Sequence, residues 1–210
     1  KSPGIPDNAP LVAEARAKGI SIINELEFAA RYTKAKIVAI TGTNGKTTTT
    51  SLVYHLLKTS GLDVAVAGNI GISMARLLTE RDYAYFVLEV SSFQLDNMYN
   101  FKADIAVLCN ITPDHLDRYN YELQNYVDAK FRITQNQTEN DVFIYCAEDE
   151  LTMNNIAKHE IKATQIPFAY DKQLAVGGQG PSKEEVLKGM TDNLLLAGRC
   201  RYPRKLEADL

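Results

Sequence analysis

The run Gly42-Thr43-Asn44-Gly45-Lys46-Thr47 follows the apolar stretch Ile37-Val38-Ala39-Ile40-Thr41 and leads directly into a helix-forming segment. Strand, glycine loop and helix in that order make a cradle for phosphate. The glycines let backbone N–H groups approach an anion, and the helix N-terminus adds partial positive charge. Lys46 is placed to reach the terminal phosphates of a nucleotide, and the Thr47 hydroxyl to ligate Mg²⁺. The expected nucleotide contacts are therefore Gly42, Thr43, Asn44, Gly45, Lys46, Thr47, Thr48 and Thr49. The residue five before Gly45 is Ile40 rather than glycine, so the loop is a shortened variant. A Gly-Asn turn with a chance Lys-Thr is the plain alternative, and the flanking elements weigh against it.

Further polar residues stand where a sheet would gather them. Glu89 ends an apolar run, where an unpaired buried carboxylate is costly and calls for a cation or a metal-bound water. The competing reading is a carboxylate that caps the next turn. His115 lies between Asp114 and Asp117 after another apolar run. Asn69, in Gly68-Asn69-Ile70-Gly71, has an amide able to donate to phosphate while the backbone approaches closely, though a plain turn would use the same residues. His55 and His159 have no such setting and read as helix-surface residues. Tyr119, Tyr121 and Tyr126 read as packing.

The elements that must position these residues alternate in type. Strands are predicted at residues 37–41, 64–67, 83–90, 105–110, 142–145 and 165–168, with helices at 46–59, 73–78, 123–134 and 151–159. That is the pattern of repeated βαβ units and a mostly parallel sheet flanked by helices. Right-handed crossovers place the loops after Thr41, Val90 and Asn110 on one sheet edge. Upstream, Leu11, Val12, Ala15 and Lys18 followed by Gly19 predict a short helix, residues 20–23 an edge strand, and Asn24 with Glu27 the start of a helix holding Leu26, Phe28 and Ala30. Residues 177–181 read as a glycine-rich turn and 193–197 as a last strand.

With 210 residues and 45% hydrophobic content, the chain can bury one α/β domain and part of a second. A net charge of −3 and a pI near 5.7 argue against general affinity for nucleic acid or an anionic membrane. No stretch has the length of a membrane span or the character of a signal peptide, which points to a cytoplasmic protein. Cys109, Cys146 and Cys200 are scattered and read as reduced thiols. The first residue is Lys1 rather than Met, so an upstream segment is expected.

The phosphate loop joined to Gly68-Asn69-Ile70-Gly71, Leu88-Glu89-Val90-Ser91-Ser92-Phe93-Gln94-Leu95 and Asn110-Ile111-Thr112-Pro113-Asp114-His115-Leu116-Asp117-Arg118 resembles the Mur ligase family. Within it, the Ser-Ser-Phe-Gln-Leu run and Ser2-Pro3-Gly4-Ile5-Pro6 are similar to the D-glutamate-adding branch. The resemblance implies a P-loop-type central α/β sheet preceded by the end of a Rossmann-like N-terminal domain. It divides the chain at 1–33, 34–197 and a divergent tail at 198–210. It implies a monomer that uses ATP and Mg²⁺ to join D-glutamate to UDP-N-acetylmuramoyl-L-alanine through an acyl phosphate. Lys46, Glu89, His115 and Lys130 are then the catalytic set. Thr47, Glu89, His115 and Lys130, the last as a carbamate, would hold metal; Lys130 lies fifteen residues after His115, as in the family. Gly4, Asn69, Ser91 and Gln94 would contact the nucleotide-sugar substrate. The alternatives are a sister or folylpolyglutamate-type amide ligase, against which the Ser91-Ser92-Phe93-Gln94 run discriminates, and a non-catalytic ATP-binding module, which has no need of the metal residues.

Overall fold

Side chains on successive residues of a strand point to opposite faces, so a strand covered on both faces reads as one apolar run. Lys36–Thr41 (β1) behaves in this way: Ile37 and Ala39 enter one core, Val38 and Ile40 the other. The computed structural model describes residues 1–169 and 178–179. Its strands continue with Val64–Gly68 (β2), Tyr85–Glu89 (β3), Ile105–Leu108 (β4), Val142–Cys146 (β5), Thr164–Ala169 (β6) and Gly178–Gln179 (β7). They form one parallel sheet in the order β2-β3-β1-β4-β5-β6-β7.

The helices divide between the faces. Lys46–Thr59 (α3, the third helix in the chain) covers the Val38/Ile40 side with Val53, Tyr54 and Leu57. Pro10–Ala17 (α1) comes first in the chain, and the larger core, around Phe86, Leu88, Leu108 and Phe143, takes Leu26 and Ala29 of Glu25–Ala29 (α2), Met74 and Leu77 of Met74–Glu80 (α4), Leu95 of Ser92–Leu95 (α5), and Tyr126 and Phe131 of Leu123–Phe131 (α6). Leu151 and Ile156 of Glu150–Ile156 (α7) pack against the same core. Because β3 and β4 flank β1 on opposite sides, the chain reverses direction across the sheet at β1. In such sheets the crevice for ligands opens beyond the carboxyl ends of the strands at that point. The phosphate loop leaves β1 there.

Several expectations need revision. Residues 20–23 form no strand, because Ile20 donates its N–H to Ala15 O at 2.9 Å to close α1 behind Gly19, whose φ is +69°. Asn24 does start a helix, its Oδ1 accepting from Glu27 N at 2.9 Å. β3 begins at Tyr85 rather than Tyr83, since Tyr83 N is taken by the Asp82 carboxylate. β4 stops at Leu108, releasing Asn110 for the loop described below. Beyond Phe131 the chain tightens into a 3₁₀ turn, Arg132–Thr134, where Arg132 Nε donates to Leu95 O at 2.8 Å. His159 lies past the end of α7 and stacks on Phe131, the ring centroids being 4.1 Å apart, so it is not a plain surface residue. Gly178–Gln179 is a strand rather than part of a turn, and residues 193–197 lie outside the described residues. Among the described residues no helix is long and apolar enough to cross a membrane.

Glu27 ties the first residues to the sheet. Its carboxylate is buried and accepts the backbone N–H groups of Tyr99 (3.1 Å), Asn100 (3.1 Å) and Phe101 (2.8 Å), as well as Arg31 Nη2 at 3.0 Å. Burial alone would raise its pKa, but Arg31 and these N–H groups outweigh burial and hold it below the ordinary 4.5. A lowered folded-state pKa stabilises the protein above the unfolded value, and that stabilisation is lost as pH falls through the folded value. Glu27→Gln is expected to cost about 2–3 kcal/mol at pH 7. In urea titrations between pH 7 and pH ~3 the variant should lose less stability on acidification than the parent; equal losses would show that Glu27 is not the group responsible.

Candidate active site

Backbone geometry fixes the phosphate loop first. Gly42 has φ +151°, and a Cβ there would lie 2.9 Å from Cys109 Cβ. Gly45, at φ +80°, turns the chain into α3. Asn110 holds the loop between them from β4: its Oδ1 accepts from Asn44 N at 2.9 Å and its Nδ2 donates to Asn44 O at 3.0 Å. Thr43 Oγ1 accepts from Thr112 N at 3.0 Å and lies 3.0 Å from the Tyr126 hydroxyl.

Two lysines converge on this loop. Lys46 Nζ donates to Gly42 O (3.0 Å) and Thr43 O (2.9 Å), and Lys130 Nζ donates to the same Gly42 O at 2.7 Å. Lys130 is only 2% exposed, with its amine 4.6 Å from the centre of the Tyr126 ring. Burial, and then the charge of Lys46, push its pKa down to about 7. A neutral amine is therefore available there near neutral pH, whereas a surface lysine would be protonated. Burial likewise raises the Cys109 thiol beside the loop, which keeps it unreactive.

Glu89 stands at the end of β3 and is 2% exposed. Its Oε2 accepts from the Thr47 hydroxyl at 2.7 Å and its Oε1 from Asn69 Nδ2 at 2.9 Å. Asn69 N also donates to Glu89 O at 2.8 Å. That approach requires glycine at position 68, where φ is +107° and a Cβ would lie 2.2 Å from Glu89 O. Both carboxylate oxygens thus have neutral donors only, which leaves the negative charge uncompensated and suited to a cation. Among the described residues no three His, Cys, Asp or Glu side chains gather into a metal centre. Mg²⁺ characteristically takes one or two protein oxygens and fills its sphere with phosphate and water, so Glu89 and Thr47 fit it where a preformed cage would not be expected.

His115 begins the turn Leu116–Tyr119 with φ 49° and ψ 31°. Its ring lies 5.2 Å from that of Phe93 and its Nε2 lies 3.5 Å from Asp114 Oδ2. Gly4, Lys46, Asn69, Ser91, His115 and Lys130 line one cavity of about 230 Å³, together with Thr43, Phe93, Asp114 and Tyr126. A larger cavity of about 740 Å³ beside α6, lined by Asp128, Arg132 and His159, holds none of the expected residues and none of the phosphate loop.

Gln94 forms a cap with Ser91. Its Oε1 accepts from Ser91 N at 2.9 Å while Ser91 Oγ accepts from Gln94 N at 3.3 Å, a reciprocal cap on α5. Gln94 lines a neighbouring cavity with Lys1, Asn24, Glu25 and Asn69, and not the one that holds the lysines. Thr48 and Thr49 lie on the first turn of α3, with Thr49 Oγ1 near Cys109 Sγ at 3.7 Å. Two residues not expected from the sequence belong to the site. Tyr126 stands four residues before Lys130 on the same helical face, and Asn110 opens the motif run that contains His115.

Residues 40–186 match the family model described as the Mur ligase middle domain. The chain belongs to the Mur ligase family. Among Mur ligases it is 58% identical over 173 residues to the UDP-N-acetylmuramoylalanine–D-glutamate ligase of Bacteroides thetaiotaomicron, covering 82% of this chain and 39% of that protein. It is 44% identical over 205 residues to the like-named enzyme of Cytophaga hutchinsonii, covering 97% and 46%. The chain spans about two fifths of the length of the first of these relatives. Among solved structures, the UDP-N-acetylmuramate-alanine ligase MurC of Thermotoga maritima aligns with TM-score 0.51 and 28% identity, over 81% of this chain and 38% of that one. The MurF ligase of Thermotoga maritima in complex with ADP aligns with TM-score 0.54 and 20% identity, over 70% and 35%, a likeness of fold.

In this Mur ligase chain the loop depends on its latch. Asn110→Ala removes both bonds to Asn44 and is expected to lower stability by about 1–2 kcal/mol. It should also speed amide exchange at residues 43–45. Unchanged exchange there would mean that the glycines alone hold the loop.

Proposed function

We propose that this chain carries the ATP-dependent half of a ligase that joins D-glutamate to UDP-N-acetylmuramoyl-L-alanine in peptidoglycan precursor synthesis. The observation that carries the reading is the convergence of Lys46 and Lys130 on the Gly42 carbonyl, in a cavity shared with His115, Asn69 and Gly4. The high identity to D-glutamate ligases, and the Ser91-Ser92-Phe93-Gln94 run, favour this branch over sister ligases. The ADP held by the Thermotoga maritima MurF, alike in fold, supports a nucleotide on the loop. In this reading residues 34–197 are the central ATP-binding domain and residues 1–33 the end of a UDP-binding one, in a cytoplasmic monomer.

A carboxylate is a poor electrophile, so the alanyl carboxylate must first gain a leaving group. Its oxygen attacks the γ-phosphorus of ATP, the bond to the β-phosphate oxygen breaks, and ADP leaves. The D-glutamate amine then attacks the acyl phosphate carbon, the C–O bond to phosphate breaks, and the amine loses a proton as the amide forms. The N–H groups of Gly45 and of the first turn of α3, Lys46 to Thr48, hold the phosphates, and Lys46 turns from its carbonyl partners to the transferring phosphoryl group. Bound Mg²⁺ supplies charge neutralisation as two anions approach. Glu89 and Thr47 would hold it, with His115 and a carbamate on Lys130 as further ligands. The lowered pKa of Lys130 favours that carbamate, because only the neutral amine adds CO₂. Gly4, Asn69 and Ser91 face the sugar and diphosphate portions of the acceptor, and Gln94 serves through its cap on Ser91.

Two measurements test this reading. The full-length protein should release phosphate from ATP only when both UDP-N-acetylmuramoyl-L-alanine and D-glutamate are present; equal release with folate acceptors, or none with any acceptor, would overturn it. In ¹³C-bicarbonate the protein should give one carbamate carbon resonance that Lys130→Gln abolishes. A resonance that survives the substitution would remove Lys130 from the metal-binding set.

A further inference from the structure

Arg118 has no part in the chemistry above, yet it joins two walls of the cavity. Its Nη2 donates to Pro3 O at 3.1 Å, and its guanidinium lies 4.5 Å from the centre of the Phe93 ring. The same ring meets His115 at 5.2 Å and Tyr119 at 6.0 Å. Arg118 and His115 belong to one turn, closed by Arg118 N donating to His115 O at 3.0 Å. Phe93 is thus gripped from both ends of that turn, and the turn is tied through Arg118 to the loop of Pro3 and Gly4. Pro3, Gly4, Phe93 and His115 all line the cavity.

The backbone at His115 makes this grip consequential. A non-glycine residue at φ 49° stays there only when its surroundings hold it. The described restraints are few: Asp114 Oδ1 accepts from His115 N at 2.8 Å, the turn closes through Arg118, and Phe93 packs on the imidazole. A guanidinium suits the task because it lies flat on an aromatic face while donating in its own plane, which an ammonium cannot do.

We infer that Arg118 is a positioning residue that couples the Pro3–Gly4 loop, on the acceptor side of the cavity, to the imidazole of His115 on the phosphoryl-transfer side. Acceptor that presses on the loop and the group that His115 holds are then sensed by one turn. The inference rests on the ligase reading given above.

The test compares the full-length protein with Arg118→Ala, Arg118→Lys and Phe93→Leu. Arg118→Ala is expected to raise KM for UDP-N-acetylmuramoyl-L-alanine about tenfold, the size of one charge-assisted hydrogen bond. It should raise the half-saturating Mg²⁺ concentration severalfold and leave KM for ATP and the thermal midpoint unchanged. Calorimetry without ATP or metal should show the same loss of acceptor affinity. Ring-current shifts of the His115 imidazole, induced by Phe93, should shrink in its NMR spectrum. Arg118→Lys should recover part of the acceptor KM and not the Mg²⁺ requirement, while Phe93→Leu should reproduce the Mg²⁺ effect alone. A rise in acceptor KM with wild-type Mg²⁺ dependence and unshifted His115 resonances would overturn the coupling. So would a uniform loss that includes ATP binding and the thermal midpoint. Wild-type protein without acceptor-dependent phosphate release would sink the ligase reading and this inference with it, whereas an active wild type with an unaltered Arg118→Ala would sink the inference alone.

Discussion

The Gly42 carbonyl accepts a hydrogen bond from Lys46, on the helix that follows it, and from Lys130, on a helix eighty-eight residues later. Two amines on one oxygen repel each other, and burial adds to the cost for Lys130. The arrangement persists because the loop cannot move away. Asn110 holds it from β4, Thr43 is held by Thr112, and Gly42 leaves no room for a side chain against Cys109. The constraint holds two amines, neither in an ion pair with a carboxylate among the described residues, at the carboxyl end of the sheet.

Glu89 follows the opposite logic a few residues away along the same sheet edge. Here, among the described residues, a buried carboxylate has donors but no cation, and the lysines have acceptors but no anion. Were the groups paired directly, the site would be neutral and closed. Separate satisfaction by backbone carbonyls, a hydroxyl and an amide keeps the groups apart, as the proposed binding of a phosphate and its counter-cation would require. The parallel sheet makes this practicable, since β1 and β3 end side by side, the phosphate loop leaving the one and Glu89 closing the other.

Much of the fold was legible because buried parallel strands are short apolar runs bounded by polar loops, and β1 to β5 have that form. Residues 20–23 have it too and still make no strand: an apolar run does not reveal that its first N–H is already spent in closing a helix. The site was legible where a residue type is unusual for its place, as with a carboxylate at a strand end or a glycine-flanked lysine. Gln94 shows the limit. Ser91 and Gln94 have the spacing of a capping box, so local geometry explained the pair more fully than substrate contact did. Tyr126 was read as packing, which it is, but a phenol one helical turn from Lys130 also reaches the loop. Single-sequence reasoning gives a residue one role when the structure gives it two.

The strand order also bears on how the chain reaches its folded state. β1 lies inside the sheet, yet it pairs with β3 and β4 and not with β2, its successor in the sequence. Its partners therefore arrive late, and loop closure must precede any gain from pairing. On a growing chain the phosphate loop stays without its Asn110 latch until β4 has emerged. Until β3 emerges both edges of this apolar strand are unpaired, and until β4 follows one still is, which leaves the nascent protein open to aggregation in that interval.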